Sequence, residues 1–273
     1  ILSSLNPRLI YVSISGFGQT GPNAHVPAYD AVIQGHSGLA GLQIGADGAP
    51  SSVRNMVADK VTSLYAAQAV TAALVHREKS GEGQHVAVSM LDAMVAFLWP
   101  DVAMDKALLE RDTVRRVELS KVNYVYLCKD GYVTLMVVTD EQFKGLCRVL
   151  DVPSMAQDPR FATVADRGAH RAELISAVQD ALRGMSRDEF LKRAMEFSVP
   201  AAPVATLDEM INSPQVLHNA TVTEAHHPTA GKILQCRPAP IFSKTPLGTG
   251  HPRPAPMLGE HGLDIIQHQW SRL

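Results

Sequence analysis

Asp59 is the residue with the clearest potential for chemistry in this 273-residue sequence. It stands just before Lys60–Lys79, a stretch without Gly or Pro whose apolar residues recur at helical steps. An Asp at a helix start usually serves as a cap that accepts backbone N–H groups. The positive end of the helix dipole also favours an ionised carboxylate there, so Asp59 is a candidate nucleophile as well. Position alone leaves both interpretations open.

A glycine-rich stretch, Gly16-Phe-Gly18-Gln-Thr-Gly21, follows the strand pattern Leu9–Ser15. Its spacing matches GxGxxG, the pattern of dinucleotide-binding loops, in which a helix follows at once. Here Pro22 and a polar loop follow instead. The stretch therefore predicts a turn or an active-site loop rather than a nucleotide site.

Tyr29 and Asp30 open a short segment with helical character, Tyr29–Gln34. His25 and His36 lie on either side of it. A lone histidine is more often solvated than catalytic, so position alone assigns these two no role.

Composition narrows the class of protein. The chain is 46% hydrophobic with a formal charge of −2, which is typical of a globular protein and gives no case for binding nucleic acid. No apolar run reaches the roughly 18 residues that span a bilayer. Cys128, Cys147 and Cys236 form neither a disulfide framework nor a zinc pattern, which suits a reducing compartment. His226 and His227 are adjacent in a strand and point to opposite faces, so no metal site is predicted.

The first half of the chain alternates strands and helices. Strand Leu9–Ser15, the Asp59 helix ended by Gly81, strand His85–Ser89 and helix Met90–Trp99 predict an α/β layer with a mainly parallel sheet. Residues 101–116 are charged and predict a solvent-facing helix or connector. The periodicity predicts the buried face of the Asp59 helix as Val61, Leu64, Tyr65, Ala69, Ala72 and Val75.

The second half has a different pattern. Lys129-Asp-Gly131 predicts a hairpin turn, and a Thr139–Gln142 capping box opens a helix to about Leu150. Further elements are predicted in chain order as helices at 166–183 and 187–197, an extended segment at 199–204, a helix capped by Thr206, short strands at 221–224 and 232–236, and a terminal helix.

These motifs, taken in order, resemble the class III family of CoA-transferases, of the formyl-CoA transferase and carnitine CoA-transferase (CaiB/BaiF) type. The resemblance covers the whole chain. It rests on LIYVSISGFGQTGP, PAYD, VADKVTSLYAA, SGEGQHVAVSMLDA, YLCKDGYV and PAPMLGEH.

The resemblance implies an architecture. Family members are interlocked homodimers with a large Rossmann-like open-sheet domain, built from both chain ends, and an inserted small α+β domain. On this chain the large domain would comprise 1–120, the small domain 121–205, and the C-terminal return to the large domain 206–273. The apolar strand close to residue 1, without an initiator Met, leads us to expect that an N-terminal part is missing, and most family contacts to the CoA adenine and phosphates come from there.

The resemblance also implies a mechanism. The family's nucleophilic aspartate falls on Asp59, which would attack an acyl-CoA thioester and pass through aspartyl-anhydride and aspartyl-CoA thioester intermediates. Coenzyme A would be a co-substrate, with an acyl-CoA and a carboxylic acid as partners and no permanently bound cofactor. Gly16, Gly18, Tyr29 and Asp30 are expected in the active-site wall. The Gly259-Glu260-His261 segment could belong to the site or only shape a turn.

Tyr29 separates two activities on this fold. The related α-methylacyl-CoA racemases keep an aspartate where Asp59 stands and carry a histidine where Tyr29 stands. Racemisation needs two acid/base groups, and tyrosine holds its proton through neutral pH, so Tyr29 favours the transferase. The alternatives are a racemase or isomerase in which Asp59 works with His25 or His36, and a truncated non-catalytic chain.

One departure bears on the substrate. The glycine-rich loop that closes over the intermediate in formyl-CoA transferases has no counterpart before Asn123. This argues against oxalate or formate specificity and leaves other dicarboxylates or carnitine-like acids. The expected location is the cytoplasm, or the mitochondrial matrix or peroxisome in a eukaryote.

Overall fold

A computed structural model of the chain describes residues 1–45, 47–103, 107, 109, 123–246 and 255–268. The chain divides into two units, Ile1–Tyr124 and Val125–Leu273. The predicted boundary at residue 121, and most of the predicted connector at 101–116, lie outside the described residues. The return of 206–273 to the large domain stays a prediction.

Two parallel strands organise the first unit. Strand β1 (Tyr11–Ser15) pairs in register with β2 (His85–Ser89), from Tyr11 opposite His85 to Ser15 opposite Ser89. This confirms the predicted strands and the mixed α/β class. The helices of this unit are α1 (Leu2–Leu5), α2 (Asp30–His36), α3 (Leu39–Leu42), α4 (Val57–Ser80) and α5 (Met90–Val102).

Helix α4 contributes to the core of the first unit mainly through its N-terminal half. The core consists of Ile33, Leu39, Ala58, Val61, Ala93, Met94 and Leu98. The predicted buried face of α4 was partly wrong, because Leu64 is 72% exposed and Ala72 and Val75 are exposed too. The helix carries apolar residues on most sides, so periodicity alone fits more than one face. Gly81 ends α4 as predicted, with φ 81° and its N–H donating to Arg77 O.

A close backbone approach at Gly83 brings the two strands together. The Gly83 N–H donates to Pro7 O at 2.8 Å, and the Tyr11 N–H donates to Gln84 O at 3.0 Å. A Cβ added at Gly83 would lie 2.1 Å from Leu9 O. Only glycine therefore lets the β2 approach run this close to the segment leading into β1.

Replacing Gly83 by Ala should lower the free energy of unfolding by about 1–3 kcal/mol, because the new Cβ must displace backbone. Urea denaturation measures the change. Gly35→Ala is the matched control, since nothing lies within 4 Å of its added Cβ and a helical Gly→Ala change stabilises by up to about 1 kcal/mol. Equal effects of the two substitutions would contradict the role of Gly83.

The second unit begins with an antiparallel sheet. Strands β3 (Val125–Cys128), β4 (Gly131–Leu135) and β5 (Ala201–Pro203) pair in that order, which confirms the predicted hairpin. The helices between β4 and β5 are α6 (Asp140–Val149), α7 (Pro153–Gln157), α8 (Val164–Ala169), α9 (Arg171–Leu182) and α10 (Arg187–Glu196), with a 3₁₀ turn at Pro159–Phe161. They pack Phe143, Leu146, Phe161, Leu182 and Phe190 into one core.

The single helix predicted at 166–183 is in fact two helices. Thr163 caps α8 in a reciprocal capping box with Asp166, and the helix ends at Ala169. His170, at φ −110° and ψ 35°, separates it from α9. Thr163-Val-Ala-Asp166 is a capping box of the same kind as those at Thr139 and Thr206, and it marks a helix start that was not predicted.

The remaining elements follow β5. They are α11 (Leu207–Ile211), α12 (Pro214–His218), the antiparallel hairpin of β6 (Val222–His227) and β7 (Gly231–Cys236), and α13 (Gly262–His268). His227 Nδ1 lies 3.2 Å from the Thr229 N–H nitrogen and 3.1 Å from that of Ala230, so this ring closes the hairpin turn. Among the described residues, no helix combines the length and the apolar character required to cross a membrane.

An ion pair joins α10 to α11. Arg187 Nη2 lies 2.5 Å from Glu209 Oε1. The Arg187 guanidinium, together with the Thr206 N–H, lowers the pKa of Glu209 from 4.5 to about 2. A carboxylate with a depressed pKa contributes stability above its unfolded pKa and loses it as the pH falls towards the folded value.

The Glu209→Gln variant should therefore lose less stability than the native protein as the pH falls from about 4.5 to about 2. Chemical denaturation at a series of pH values across this window measures the difference. Glu196→Gln is the control, because Glu196 is exposed and has no partner in the described part of the chain. If Glu209→Gln and Glu196→Gln follow the same pH dependence, the ion pair does not contribute.

Candidate active site

Asp59 lies in the first turn of α4, as the third helical residue. Its side chain is exposed, and no hydrogen bond or ion pair of its carboxylate is found within the described ranges. The residue before the helix, Met56, makes no side-chain cap. Asp59 therefore stands where the helix dipole favours negative charge, but it does not cap the helix.

The cap comes from Asp30, almost thirty residues earlier in the chain. Asp30 Oδ2 accepts hydrogen bonds from the Ala58 N–H at 2.8 Å and the Asp59 N–H at 3.2 Å. The Asp30 side chain is only 4% exposed. The interpretation of Asp59 as a cap was thus wrong, because a buried carboxylate from α2 already fills that position.

Two further N–H groups at the start of α4 also have backbone acceptors. The Val57 N–H donates to Asn55 O at 2.7 Å, and the Lys60 N–H donates to Met56 O at 3.2 Å. A helix leaves its first four N–H groups without intrahelical partners, here those of Met56, Val57, Ala58 and Asp59, and the last three of these have acceptors. The Ala58 and Asp59 N–H groups are thus both taken by Asp30.

Gln34 holds Asp30 in place from one turn further along α2. Its Nε2 donates to Asp30 Oδ1 at 2.5 Å and to the carbonyl oxygens of Asn55 at 3.0 Å and Val53 at 3.2 Å. Its Oε1 accepts from the Val53 N–H at 2.9 Å. Sequence reasoning missed Gln34, although a polar residue four positions after Asp30, beside the buried Ile33, indicates such a contact.

The glycine-rich loop after β1 packs against the segment that carries Tyr29 and Asp30. A Cβ added at Gly16 would lie 2.4 Å from the Ala28 Cβ. Gly16 O also accepts from the Leu91 N–H at 3.0 Å, which ties the loop to the start of α5. Gly18 has φ 98°, a conformation that favours glycine. No helix follows this loop before α2, which agrees with a turn loop.

Tyr29 and Asp30 face different environments. Tyr29 is the N-cap residue of α2, and its carbonyl accepts from the Val32 and Ile33 N–H groups at 3.0 and 3.2 Å. Its side chain is 83% exposed, whereas that of Asp30 is buried. Asp30 therefore acts on the backbone, and Tyr29 is the one of the pair that a ligand in solution can reach.

The structure brings some predicted residues together. The Asp30 carboxylate meets the Asp59 backbone, and Gly16 meets the residue before Tyr29. Glu260, by contrast, forms a local turn in the second unit, where its Oε2 accepts from the Met257 N–H at 2.6 Å and Gly259 has φ 78°. A turn-forming role fits this segment.

Comparison with known proteins places the chain in a family. The model for CoA-transferase family III matches residues 1–262, so the chain belongs to this family. It is 35% identical over 269 residues to the succinate–glutarate CoA-transferase of Agrobacterium fabrum, covering 97% of this chain and 66% of that protein. It is 32% identical to the human succinyl-CoA:glutarate CoA-transferase, covering 97% of this chain and 61% of that protein.

The fold agrees with a solved structure. A CaiB/BaiF family protein from Brucella suis matches with a TM-score of 0.79 and 31% identity, covering 98% of this chain and 69% of that one. The chain spans 61–66% of the length of the two curated relatives above. The recognised family and the mixed α/β fold are thereby confirmed.

Gly16→Ala should disturb the Asp30 cap, because the added Cβ pushes against Ala28. We expect the free energy of unfolding to fall by about 1–3 kcal/mol, and the Ala58 and Asp59 amides to exchange faster with solvent deuterium. Gly41→Ala is the control, since its added Cβ meets nothing within 4 Å. Unchanged exchange in Gly16→Ala would show that this loop does not support the cap.

Proposed function

We propose that the chain transfers CoA from an acyl-CoA to a carboxylic acid, with Asp59 as the nucleophile. The observation that carries this proposal is that Asp30 caps α4 in place of Asp59. The Asp59 carboxylate is exposed, has no partner among the described residues, and belongs to a residue whose backbone N–H the Asp30 cap holds. Membership of CoA-transferase family III supports the reaction class.

The first half-reaction has two steps. A carboxylate oxygen of Asp59 attacks the thioester carbonyl carbon, the C–S bond breaks, and CoA leaves as a thiolate, which gives a mixed anhydride. The thiolate then attacks the aspartyl carbonyl carbon of the anhydride and releases the first acid as its carboxylate. The product is an aspartyl-CoA thioester, and no general base is needed because every nucleophile is already an anion.

The second half-reaction reverses these steps with a new acid. The incoming carboxylate attacks the aspartyl thioester and expels the CoA thiolate, which gives a second mixed anhydride. The thiolate attacks the acyl carbonyl carbon of that anhydride. The new acyl-CoA leaves, and the Asp59 carboxylate is regenerated.

Each tetrahedral intermediate needs hydrogen-bond donors for its oxyanion. The Ala58 and Asp59 N–H groups do not supply them, since both donate to Asp30. The Phe17 and Gly18 N–H groups have no acceptor among the described residues and are half-buried. We assign the donors to this loop, which gives Gly16 and Gly18 their place in the site.

The acid substrates are proposed to be dicarboxylates. The Agrobacterium and human relatives carry succinate, succinyl-CoA and glutarate in their names. Arg54, on the approach to α4, is exposed and has no partner in the part of the chain that the structure describes. Its guanidinium can pair with the distal carboxylate of a dicarboxylic acid.

The racemase alternative needs a second acid/base group beside Asp59. His36 lies at the C-terminal end of the seven-residue α2, about 9 Å along the axis from the end that contacts α4. His36 instead stacks edge-on against Phe17, with ring centroids 5.0 Å apart. His25 is exposed in the preceding loop. These placements favour the transferase.

Asp59→Asn should lower CoA transfer from succinyl-CoA to glutarate by at least about a thousandfold, because the amide is not a nucleophile. The fold should persist, since the native side chain has no described partner. Asp47→Asn is the matched control, an exposed Asp whose Oδ1 accepts from the Ala49 N–H at 3.0 Å.

Normal transfer by the Asp59→Asn variant would overturn the proposed nucleophile. Solvent deuterium entering the α-carbon of the acyl group, without transfer, would replace the transferase by the racemase. A native protein that binds CoA and catalyses neither reaction would favour the non-catalytic alternative.

A further inference from the structure

We infer that Asp30 is a positioning residue for Asp59, and that Gln34 keeps Asp30 in the orientation this requires. The inference rests on the proposed function, because it explains how the chain presents the nucleophile. Asp30 is buried and touches the Asp59 backbone, so it acts through Asp59 rather than on a substrate. This replaces the expected role of Asp30 in the active-site wall.

The hydrogen bonds around position 30 all come from donors, so the residue there must offer acceptors on both of its terminal atoms, as a carboxylate does. The Val53 N–H donates to Gln34 Oε1, which fixes which end of the amide points towards Asp30. Gln34 Nε2 therefore presents a donor to Asp30 Oδ1, while Oδ2 faces two backbone donors. Three donors surround the group, and an asparagine NH₂ would bring a fourth donor against them.

Because Asp30 and Gln34 are both buried, the loss of one of their hydrogen bonds is costly in free energy. Asp30 is 4% exposed and Gln34 is 2% exposed. Hydrogen bonds to a buried charge are stronger than neutral ones, and removing one partner leaves the others unsatisfied. The two side chains tie α2 and the Val53–Asn55 segment to the first turn of α4.

The consequence for Asp59 follows from its backbone N–H. This N–H is bound to Asp30, so the capping carboxylate constrains the direction in which Asp59 projects its side chain. A misplacement of about 1 Å in a reacting group can lower a rate by about a hundredfold. Loss of the Asp30 contact should therefore slow the chemical steps more than it weakens substrate binding.

The test compares four variants of the full protein: Asp30→Asn, Gln34→Glu, Asp30→Glu and the control Asp47→Asn. For succinyl-CoA and glutarate, we expect kcat to fall at least about tenfold in Asp30→Asn and Gln34→Glu, with KM for succinyl-CoA within about threefold of the native value. Asp30→Glu keeps two acceptor oxygens and should recover part of kcat. Asp47→Asn should match the native protein.

Hydrogen exchange measures positioning without relying on activity. The Ala58 and Asp59 amides should exchange at least about tenfold faster in Asp30→Asn and Gln34→Glu, while the β1 and β2 amides keep their native rates. If the Asp30→Asn variant does not fold, the exchange rates and kcat of Gln34→Glu are compared with those of the native protein instead.

The outcomes separate the two claims. Unchanged exchange at Ala58 and Asp59 overturns the positioning role, and so does faster exchange with an unchanged kcat. A rise in KM alone also overturns it, because Asp30 would then serve substrate binding. If the native protein transfers no CoA, the proposed function is wrong, even where the variants show faster exchange at Ala58 and Asp59. In that case the faster exchange shows only that Asp30 caps α4, and Asp30 does not position a nucleophile.

Discussion

The Asp30 carboxylate at the start of α4 is the interaction on which the proposed site depends. It accepts the Ala58 and Asp59 N–H groups, and it is buried where water cannot take its place. A helix of 24 residues would otherwise need a local cap, and the neighbouring Met56 provides none. Because Asp30 takes this role from another helix, the Asp59 carboxylate stays exposed while its backbone N–H is held. That Asp30 caps α4 while the Asp59 side chain stays exposed is the main structural argument for a nucleophile at position 59.

Two glycines allow close approaches that position the parallel strands and the segment that carries Asp30. Gly83 lets the chain before β2 pass against Leu9, which sets the start of the parallel pair. Gly16, at the end of β1, packs on Ala28 and so supports the segment that presents Tyr29 and Asp30. Each glycine is used for space rather than for an unusual φ. Packing thereby explains Gly16 in the loop that matches the dinucleotide-site spacing. The Phe17 and Gly18 N–H groups, which have no acceptor among the described residues, make this loop the proposed source of oxyanion donors.

Local patterns predicted much of this fold, and the errors have a common cause. Gly81 and the capping boxes at Thr139 and Thr206 depend on neighbours within a few residues, so the local sequence contains their determinants. The residues around Asp59 could not decide between a cap and a nucleophile, because the acceptor that caps α4, Asp30, comes from a distant part of the chain. Gln34 was missed for the same reason, since its partners at Val53 and Asn55 are also remote. The family resemblance correctly located the chain among CoA-transferases, but it could not show that Asp30 faces backbone rather than solvent.

Trapping the covalent intermediate tests the central claim most directly. The protein is mixed with succinyl-CoA and quenched with hydroxylamine, which attacks an activated aspartyl carbonyl and leaves a hydroxamate. Peptide mass spectrometry then locates the modified residue. We predict a hydroxamate on Asp59 that requires succinyl-CoA and is absent in Asp59→Asn. A protein that transfers CoA to glutarate without forming this adduct, or that forms it on another residue, would contradict the account.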